Sequence, residues 1–250
     1  MSVEVARKNH AESLKTLEIL NDYQDYMDNI SVVADMGCGY GYDAAWFANL
    51  TTIGGKPRNI KVNAVDIELD TIYMSRHENI NYIQTDYTQT NLEHNSHDLI
   101  WAHDSLQYSI APIYALYHWW QLLKVDGMLF IKIPYNFSVD NHKDIQKINC
   151  TYKNGCFYNW TMGNLILSLV ATGFDCKNAH FKLDKEEGYM YACVYKLPEL
   201  PTPGTNWYHF ADKKLLPLSI EKEIMKNGTF KETDIVVEWI DRSQYMLSLL

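Results

Sequence analysis

Short apolar runs alternate with amphipathic stretches along most of the chain. The apolar runs predict five strands in the first 135 residues, over 31–36, 59–68, 80–87, 97–105 and 127–135. Strands that alternate with helical segments at this rhythm are typical of a parallel sheet with helices on both faces. The pattern therefore predicts an α/β fold of the doubly wound type.

Apolar residues spaced three or four apart predict helices between and beside these strands. Leu14, Leu17 and Leu20 fall on one side of a predicted helix over residues 10–28. Further helices are predicted over residues 42–50, 112–124, 161–174 and 219–227. The helix predicted over residues 10–28 precedes all the predicted strands.

The second half of the chain changes pattern. Two runs, 175–183 and 188–197, flank the turn "DKEE" and predict a hairpin. The predicted fold is a seven-stranded, mostly parallel sheet with an antiparallel final hairpin, an N-terminal helix and a C-terminal extension. The stretch "PELPTPG" predicts a boundary between a domain of residues 1–197 and an extension, 198–250, packed on the same domain. The spacing of apolar residues does not assign residues 233–240 to a helix or a strand.

Composition narrows the classes of function. Asp and Glu outnumber Lys and Arg by 31 to 22, giving a formal charge of -9. Long nucleic acids are bound largely through Lys and Arg, so this balance disfavours them as partners. The absence of a long apolar segment or a signal-peptide core predicts a cytoplasmic protein without a membrane anchor. The five cysteines follow no disulfide framework, and His142, Cys150 and Cys156 lack the spacing of a common zinc site, so no metal is predicted.

The stretch "VVADMGCGYGYDAAWFANL", residues 32–50, places three glycines between a predicted strand and a predicted helix. Glycine permits positive φ and close approach to the backbone, and a helix N-terminus attracts negative groups. The glycines therefore serve either a tight turn without a ligand or a nucleotide cradle. Their G-x-G-x-G spacing departs from the dinucleotide motif, and no P-loop lysine follows. Asp35, two residues earlier, would repel a pyrophosphate and suits a positively charged ligand.

This stretch resembles the first motif of the class I S-adenosylmethionine-dependent methyltransferases, an apolar strand ending in D/E-x-G-x-G-x-G. The later motifs of the family have counterparts in the same order, in "NAVDIE", "IQTDY", "DLIWAHDSLQY" and "LLKVDGMLFIKIP". The resemblance covers about residues 30 to 197. It implies a Rossmann-like domain, S-adenosylmethionine as cofactor and S-adenosylhomocysteine as product.

The resemblance also implies where the methionine part of the cofactor binds. Backbone around the first two glycines would hold it, and Asp35 would meet its α-amino group directly or through water. The implied contacts at this end are Asp35, Gly37, Cys38, Gly39 and Gly41.

The nucleoside part is implied to lie at the next two strand ends. Asp66, with Ile67 beside it, would accept hydrogen bonds from the ribose hydroxyls, as an acid does in dinucleotide sites. Asp86 and the backbone of Tyr87 would bind the adenine. A single acid there is more often a helix cap or a solvated strand end. Three acids at successive strand ends, next to a glycine loop, favour the cofactor.

The chemistry itself does not require a universal catalytic residue. Methyl transfer from a sulfonium is an in-line displacement that depends on positioning, and a base is needed only where the acceptor must lose a proton. Ala102 and His103 are implied to line the sulfonium end. His103 is the first candidate base because imidazole titrates near neutral pH, and its alternative role is a wall residue. Asp104 and Tyr108 are further candidates.

Aromatic residues suggest where the acceptor binds. The irregular segment of about 136–160 is implied to be a lid-like insertion over the acceptor. The predicted acceptor contacts are Tyr135, His142, Tyr158 and Trp160. Aromatic rings there would shield an apolar or cationic acceptor. The alternative is that they pack the C-terminal extension on the core.

The sequence thus predicts an enzyme that methylates a small molecule at oxygen or nitrogen. The alternatives are a protein or RNA methyltransferase, another reaction of the same cofactor such as aminopropyl transfer or cofactor cleavage, and a non-catalytic cofactor-binding subunit. A homodimer formed through the C-terminal extension is a further expectation.

Overall fold

The computed structural model describes residues 3–52, 54–69, 74, 76–135, 157–158, 160–184, 187–201, 206–231 and 235. The strands are β1 (Val32–Met36), β2 (Lys61–Asp66), β3 (Ile80–Gln84), β4 (His97–His103), β5 (Leu123–Pro134), β6 (Phe174–Asp184) and β7 (Tyr189–Lys196). The α-helices are α1 (Val3–Glu18), α2 (Gln24–Met27), α3 (Tyr42–Ala48), α4 (Pro112–Leu122), α5 (Met162–Ala171), α6 (Trp207–Asp212) and α7 (Leu218–Asn227). Short 3-10 segments cover Ile19–Tyr23 and Leu106–Tyr108.

The seven strands form one sheet in the order β3-β2-β1-β4-β5-β7-β6. All neighbouring pairs from β3 to β5 are parallel, and β7 runs antiparallel to both β5 and β6. The predicted fold class is therefore confirmed. The strand order reverses between β1 and β4, and ligands of doubly wound sheets bind in the crevice at such a switch point, outside the carboxyl ends of the strands.

Each face of the sheet is covered by a separate group of helices. On one face, α4 to α7 bury apolar side chains that include Leu165, Phe210 and Ile220. On the other face, the N-terminal helices and α3 bury a second set that includes Leu17 and Phe47. Burial of each such side chain contributes about 1.5–3 kcal/mol. The helices of the C-terminal extension thus share one core with α4 and α5.

Some element boundaries differ from those predicted. The single helix predicted over residues 10–28 is wrong, because α1 ends at Glu18 and a 3-10 segment and the short α2 follow. Helix α6 is absent from the predictions. Residues 136–156 and 159, most of the predicted lid, lie outside the described residues, as does most of the unassigned stretch 233–240.

The fifth strand starts four residues earlier than predicted. Leu123 pairs with His97, and a register shift separates this pair from the next one, between Leu99 and Met128. Asp126 has a φ of +61°, so the strand bends where the sequence "VDG" suggests a turn. Pairing with β4 therefore extends the strand through residues whose local pattern indicates a loop.

The sheet places several polar side chains at its carboxyl edge. Asp35 lies one residue before the end of β1, Asp66 ends β2, and His103 ends β4 beside Lys132 of β5. In the described part of the chain, no helix is long and apolar enough to cross a membrane.

Candidate active site

The glycine loop after β1 is tied to the end of β2. The N–H groups of Gly37 and Cys38 donate to the carbonyl oxygen of Val65 over 2.8 and 3.0 Å. The N–H of Gly39 donates to Oδ2 of Asp66 over 2.8 Å. The loop and the predicted ribose-binding acid are therefore held as one unit.

The three glycines of the loop have different surroundings. A Cβ on Gly37 would come within 2.4 Å of the Ser105 Cβ, and one on Gly41 within 2.6 Å of the Tyr82 hydroxyl. A Cβ on Gly39 would meet nothing within 4 Å. All three have positive φ. Gly37 and Gly41 are thus required by packing, whereas Gly39 faces open space.

That open space is a cleft between α1, the glycine loop, α3 and the end of β4. It is lined by His10, Ser13, Asp35, Gly37, Cys38, Gly39, Tyr40, Tyr42, Asp43, His103 and Asp104. It encloses a volume of about 130 Å³ and opens to solvent. The structure therefore brings together most of the residues predicted for the methionine end and two predicted catalytic candidates.

Asp35 is the most unusual carboxyl group of the cleft. It is 2% exposed, and its Oδ2 has no hydrogen-bond partner among the described residues. Burial, followed by the charges of Asp43 and Asp66, raises the pKa of Asp35 well above its usual value. A buried carboxyl group with an unused oxygen is costly unless a donor or a cation meets it. The site thus fits a ligand with a positive charge, as the amino-acid part of S-adenosylmethionine has.

Asp43 is a second buried acid in the cleft and is absent from the predicted site. Its carboxylate accepts hydrogen bonds from Ser13 and, over 2.8 Å, from the Trp101 indole N–H. Burial raises its pKa. In the sequence an acid in the first turn of a helix indicates only a favourable dipole contact. Its place in the cleft depends on α1, which also brings His10 to stack on Tyr42 with ring centroids 4.5 Å apart.

The residues predicted for the nucleoside end lie on the β2–β3 side of the loop. Asp66 also accepts from the Glu68 N–H, and Asp86 accepts from the Thr88 N–H over 2.8 Å. The Tyr87 hydroxyl donates to the Ser105 carbonyl. Ile67 is 69% exposed, as an adenine contact would be before binding. These four residues are not among those that line the cleft, and their cofactor roles remain predictions.

The side chains of Cys38 and Ala102 are both buried. The Cys38 side chain is buried with the core on the α1–α3 side of the sheet, and Ala102 is fully buried on the other side. Cys38 is among the residues that line the cleft, whereas Ala102 is not.

The three catalytic candidates differ in their surroundings. Burial, with Lys132 nearby, lowers the pKa of His103 to about 3, so its imidazole is neutral at pH 7. His103 Nε2 lies 3.3 Å from the Thr16 hydroxyl. Asp104 Oδ2 accepts from Lys132 Nζ over 2.9 Å. Tyr108 is 47% exposed and does not line the cleft. This geometry favours Asp104 as proton acceptor and a wall role for His103.

Three of the predicted acceptor contacts, Tyr135, Tyr158 and Trp160, do not line this cleft. Trp160 is 4% exposed and belongs to the core on the α4–α7 side, and Tyr135 packs against the same core. The Tyr158 hydroxyl donates to the Ile110 carbonyl over 3.0 Å. His142 lies outside the described residues. The aromatic signal therefore marks packing at Trp160, which is the alternative that the sequence leaves open.

Comparisons with known proteins agree with this fold. Residues 34–131 match the family model of a methyltransferase domain, and no curated protein sequence matches the chain. A methyltransferase from Archaeoglobus fulgidus, described as dependent on S-adenosylmethionine, is 17% identical with a TM-score of 0.55, over 74% of this chain and 94% of that chain. A chain in the complex between the Haloferax volcanii Trm112 methyltransferase activator and a proposed methyltransferase is 12% identical with a TM-score of 0.53, over 79% of this chain and 97% of that chain. The 4+2 cyclase SpnF is 14% identical with a TM-score of 0.50, over 67% of this chain and 75% of that chain.

The matched domain spans β1 to β5 and contains the glycine loop, the acids at the strand ends and the cleft residues of β4. The fold is that of the class I methyltransferases. Residues 34–131 are thus similar to a methyltransferase domain, within a chain that has this fold.

Proposed function

We propose that the protein is an S-adenosylmethionine-dependent methyltransferase, which transfers the methyl group to an oxygen or nitrogen atom of a small-molecule acceptor. The observation that supports this most is the buried, unpartnered oxygen of Asp35 beside the open face of Gly39. Helix α1 contributes His10 and Ser13 to the wall of the same cleft. The acidic balance of the chain disfavours a nucleic-acid substrate.

The residues of the cleft take separate roles in this proposal. Asp35 binds the cationic amino-acid end of the cofactor, and the backbone of Gly39 borders it. Asp66 accepts hydrogen bonds from the ribose hydroxyls, and Asp86 with Tyr87 binds the adenine. When bound, the cofactor supplies an activated methyl group, while the chain positions it and keeps water out.

Replacement of Asp66 by Ala is expected to weaken S-adenosylhomocysteine binding by about 10- to 100-fold, because two charge-assisted hydrogen bonds are lost. Asp66 also holds the Gly39 N–H, so part of the effect arises from a looser loop. Isothermal calorimetry measures it. Asp212→Ala, at the end of α6, is the control and retains wild-type affinity. Unchanged affinity of Asp66→Ala would remove this residue from the site.

Cofactor affinity is expected to rise with pH. The raised pKa of Asp35 keeps its carboxyl group protonated above the usual range, whereas a cationic ligand binds the ionised form. Binding therefore releases a proton, and affinity increases until the pH exceeds the pKa of the free protein. Calorimetry in buffers of different ionisation enthalpy, from about pH 5 to 8, measures both effects. A flat profile without proton release contradicts the role given to Asp35.

The activity itself is tested by incubating the protein with methyl-labelled cofactor and a mixture of metabolites. Transfer of label to a small molecule supports the proposal, and label found only in added protein or RNA contradicts it. The cyclase among the structural neighbours favours a second candidate, a reaction without methyl transfer on the same fold. In that case an acceptor is converted while the label stays on the cofactor.

A further inference from the structure

A group of exposed apolar side chains lies on α4 and on the chain segments beside its N-terminus. Single apolar residues are common on protein surfaces and need no explanation. Here five aromatic residues and two isoleucines are each between 37% and 74% exposed. We call this group the α4 surface, and its members are Tyr108, Ile110, Ile113, Tyr114, Tyr117, Phe157 and Tyr158.

Three members of the α4 surface belong to the helix itself. Ile113, Tyr114 and Tyr117 share one side of α4, as residues three and four positions apart do. The other side of the helix, which includes Leu116 and Trp119, is fully buried in the core. Helix α4 is therefore firmly packed on the sheet, and its outer side is apolar although water surrounds it.

The remaining members are joined by hydrogen bonds near the start of α4. The Phe157 N–H donates to the Gln107 carbonyl over 3.0 Å. The Tyr158 hydroxyl donates to the Ile110 carbonyl over 3.0 Å. Tyr108 lies between these two acceptors in the chain. The segment 157–158 is thus fixed against the loop that leads into α4, and the α4 surface is continuous.

The extent of the α4 surface is close to that of a protein interface. An aromatic side chain covers about 150–250 Å², so five partly exposed rings and two isoleucines leave on the order of 600 Å² open. The largest apolar patch on a monomeric protein is about 300–600 Å². A stable interface buries about 800 Å² on each partner. The α4 surface thus supplies most of the area that a dimer needs.

The shape of the α4 surface suits a macromolecule better than a small ligand. Small-molecule sites are concave and enclose most of their ligand. Tyr114, by contrast, is 72% exposed on the outer side of a helix, where the surface is convex. The seven residues do not line the cofactor cleft. A partner with an extended face of its own is therefore required to cover them.

The charge of the α4 surface favours one kind of partner. Residues 105–123 contain no Asp, Glu, Lys or Arg, although the chain has a formal charge of -9. A basic partner finds no acid to pair with on this surface. Two copies of an acidic chain repel each other, and they approach best through a face without charge. Few charged residues and many tyrosines are also typical of the core of an interface.

We propose that the α4 surface is the interface of a homodimer, in which a second copy of this chain packs its own α4 surface against the first. The same surface then meets itself across a two-fold axis. Tyr108 and Tyr158, which the sequence suggests as a catalytic candidate and an acceptor contact, are interface residues in this dimer. The dimer that the sequence predicts through the C-terminal extension uses a different face.

Sedimentation velocity of the full chain tests the association. The measurement covers about 1 to 100 μM, the range in which a small interface associates. The expected mass at the upper end is that of two copies. A wild-type protein that keeps the mass of one copy over the whole range overturns the inference and assigns the α4 surface to another occupant, such as an apolar acceptor.

Tyr114→Lys and Ile110→Lys locate the interface. Each variant removes an exposed apolar side chain and places two like charges in the dimer, one from each copy. The dissociation constant of the dimer is expected to rise about 10-fold or more. Leu14→Lys is the matched control, since Leu14 is an exposed apolar residue of α1, on the other face of the sheet. A dimer unchanged in both variants, or weakened equally by Leu14→Lys, contradicts the inference.

Binding of S-adenosylhomocysteine shows whether the variants remain folded. Neither Tyr114 nor Ile110 lines the cofactor cleft, so both variants are expected to keep the wild-type affinity. If one of them loses its thermal unfolding transition, the other variant decides. A monomeric protein that binds and turns over the cofactor overturns the dimer alone, whereas a dimer that binds no cofactor overturns the proposed function alone.

Discussion

Replacement of Asp35 by Asn is expected to weaken cofactor binding by about 100-fold or more, because removing one partner of a buried, hydrogen-bonded charge pair costs about 2–5 kcal/mol. The side chain is nearly inaccessible, so water cannot replace the lost carboxylate. Calorimetry with S-adenosylhomocysteine, which keeps the ammonium group, measures this loss separately from any effect on the sulfonium.

The same substitution is expected to stabilise the protein without ligand. Burial raises the pKa of Asp35, so its contribution to stability is present at low pH and is lost as the pH rises through the pKa of the folded state. Asn avoids that loss, and the melting temperature should rise by about 2–4 °C for each kcal/mol gained. The gain should be larger at pH 8 than at pH 5.

Asp98→Asn is the matched control for Asp35→Asn. Asp98 lies near the beginning of β4, at the opposite edge of the same sheet. Its carboxylate accepts hydrogen bonds from the N–H groups of Ser31 and Val32 and forms an ion pair with Lys124 over 2.6 Å. These hydrogen bonds lower its pKa, so Asn there should reduce stability and leave cofactor affinity unchanged. If Asp35→Asn behaves like Asp98→Asn, Asp35 is a structural residue.

Gly39→Ala is expected to lower cofactor affinity by about 10- to 100-fold, a loss of about 1.4–2.7 kcal/mol. Its Cβ meets no protein atom within 4 Å and points into open space. The left-handed φ of +52° costs an alanine only about 1–2 kcal/mol. The fold should therefore survive while the added methyl group occupies the space that borders the ligand.

Gly37→Ala provides the contrast. Its Cβ would lie 2.4 Å from the Ser105 Cβ, so strain of about 1–3 kcal/mol from overpacking adds to the cost of the left-handed φ. This variant should lose stability first and affinity as a consequence. Urea unfolding and calorimetry on both variants distinguish the cases. Equal stability losses, or full affinity in Gly39→Ala, would contradict the assignment of Gly39 to the ligand.

Local sequence patterns were sufficient to predict the position of acidic residues that lie at the end of a single strand. Asp35, Asp66 and Asp86 each follow an apolar run, and carboxyl ends of parallel strands meet at one edge, so their positions could be predicted. The doubly wound sheet could be predicted for the same reason. Asp104 could be predicted as a candidate because it directly follows β4.

Other features depend on how distant elements pack. Asp43 enters the cleft because α1 supplies Ser13 and β4 supplies Trp101, and no local pattern encodes those contacts. The hydrogen bond from Lys132 to Asp104 depends on the pairing of β5 with β4. Trp160 shows the opposite case, since an aromatic residue in a polar segment suggests a binding surface, whereas its side chain is buried in the core. Composition does not distinguish these two roles.

Helix α1 forms part of the walls of two cavities. Ser13 is buried beside the cofactor cleft, and Thr16 is buried beside a cavity that Lys132 and Lys182 also line. One displacement of this helix would break the Ser13–Asp43 and Thr16–His103 contacts together. A substitution that displaces α1 is therefore expected to change the shape of both cavities at once.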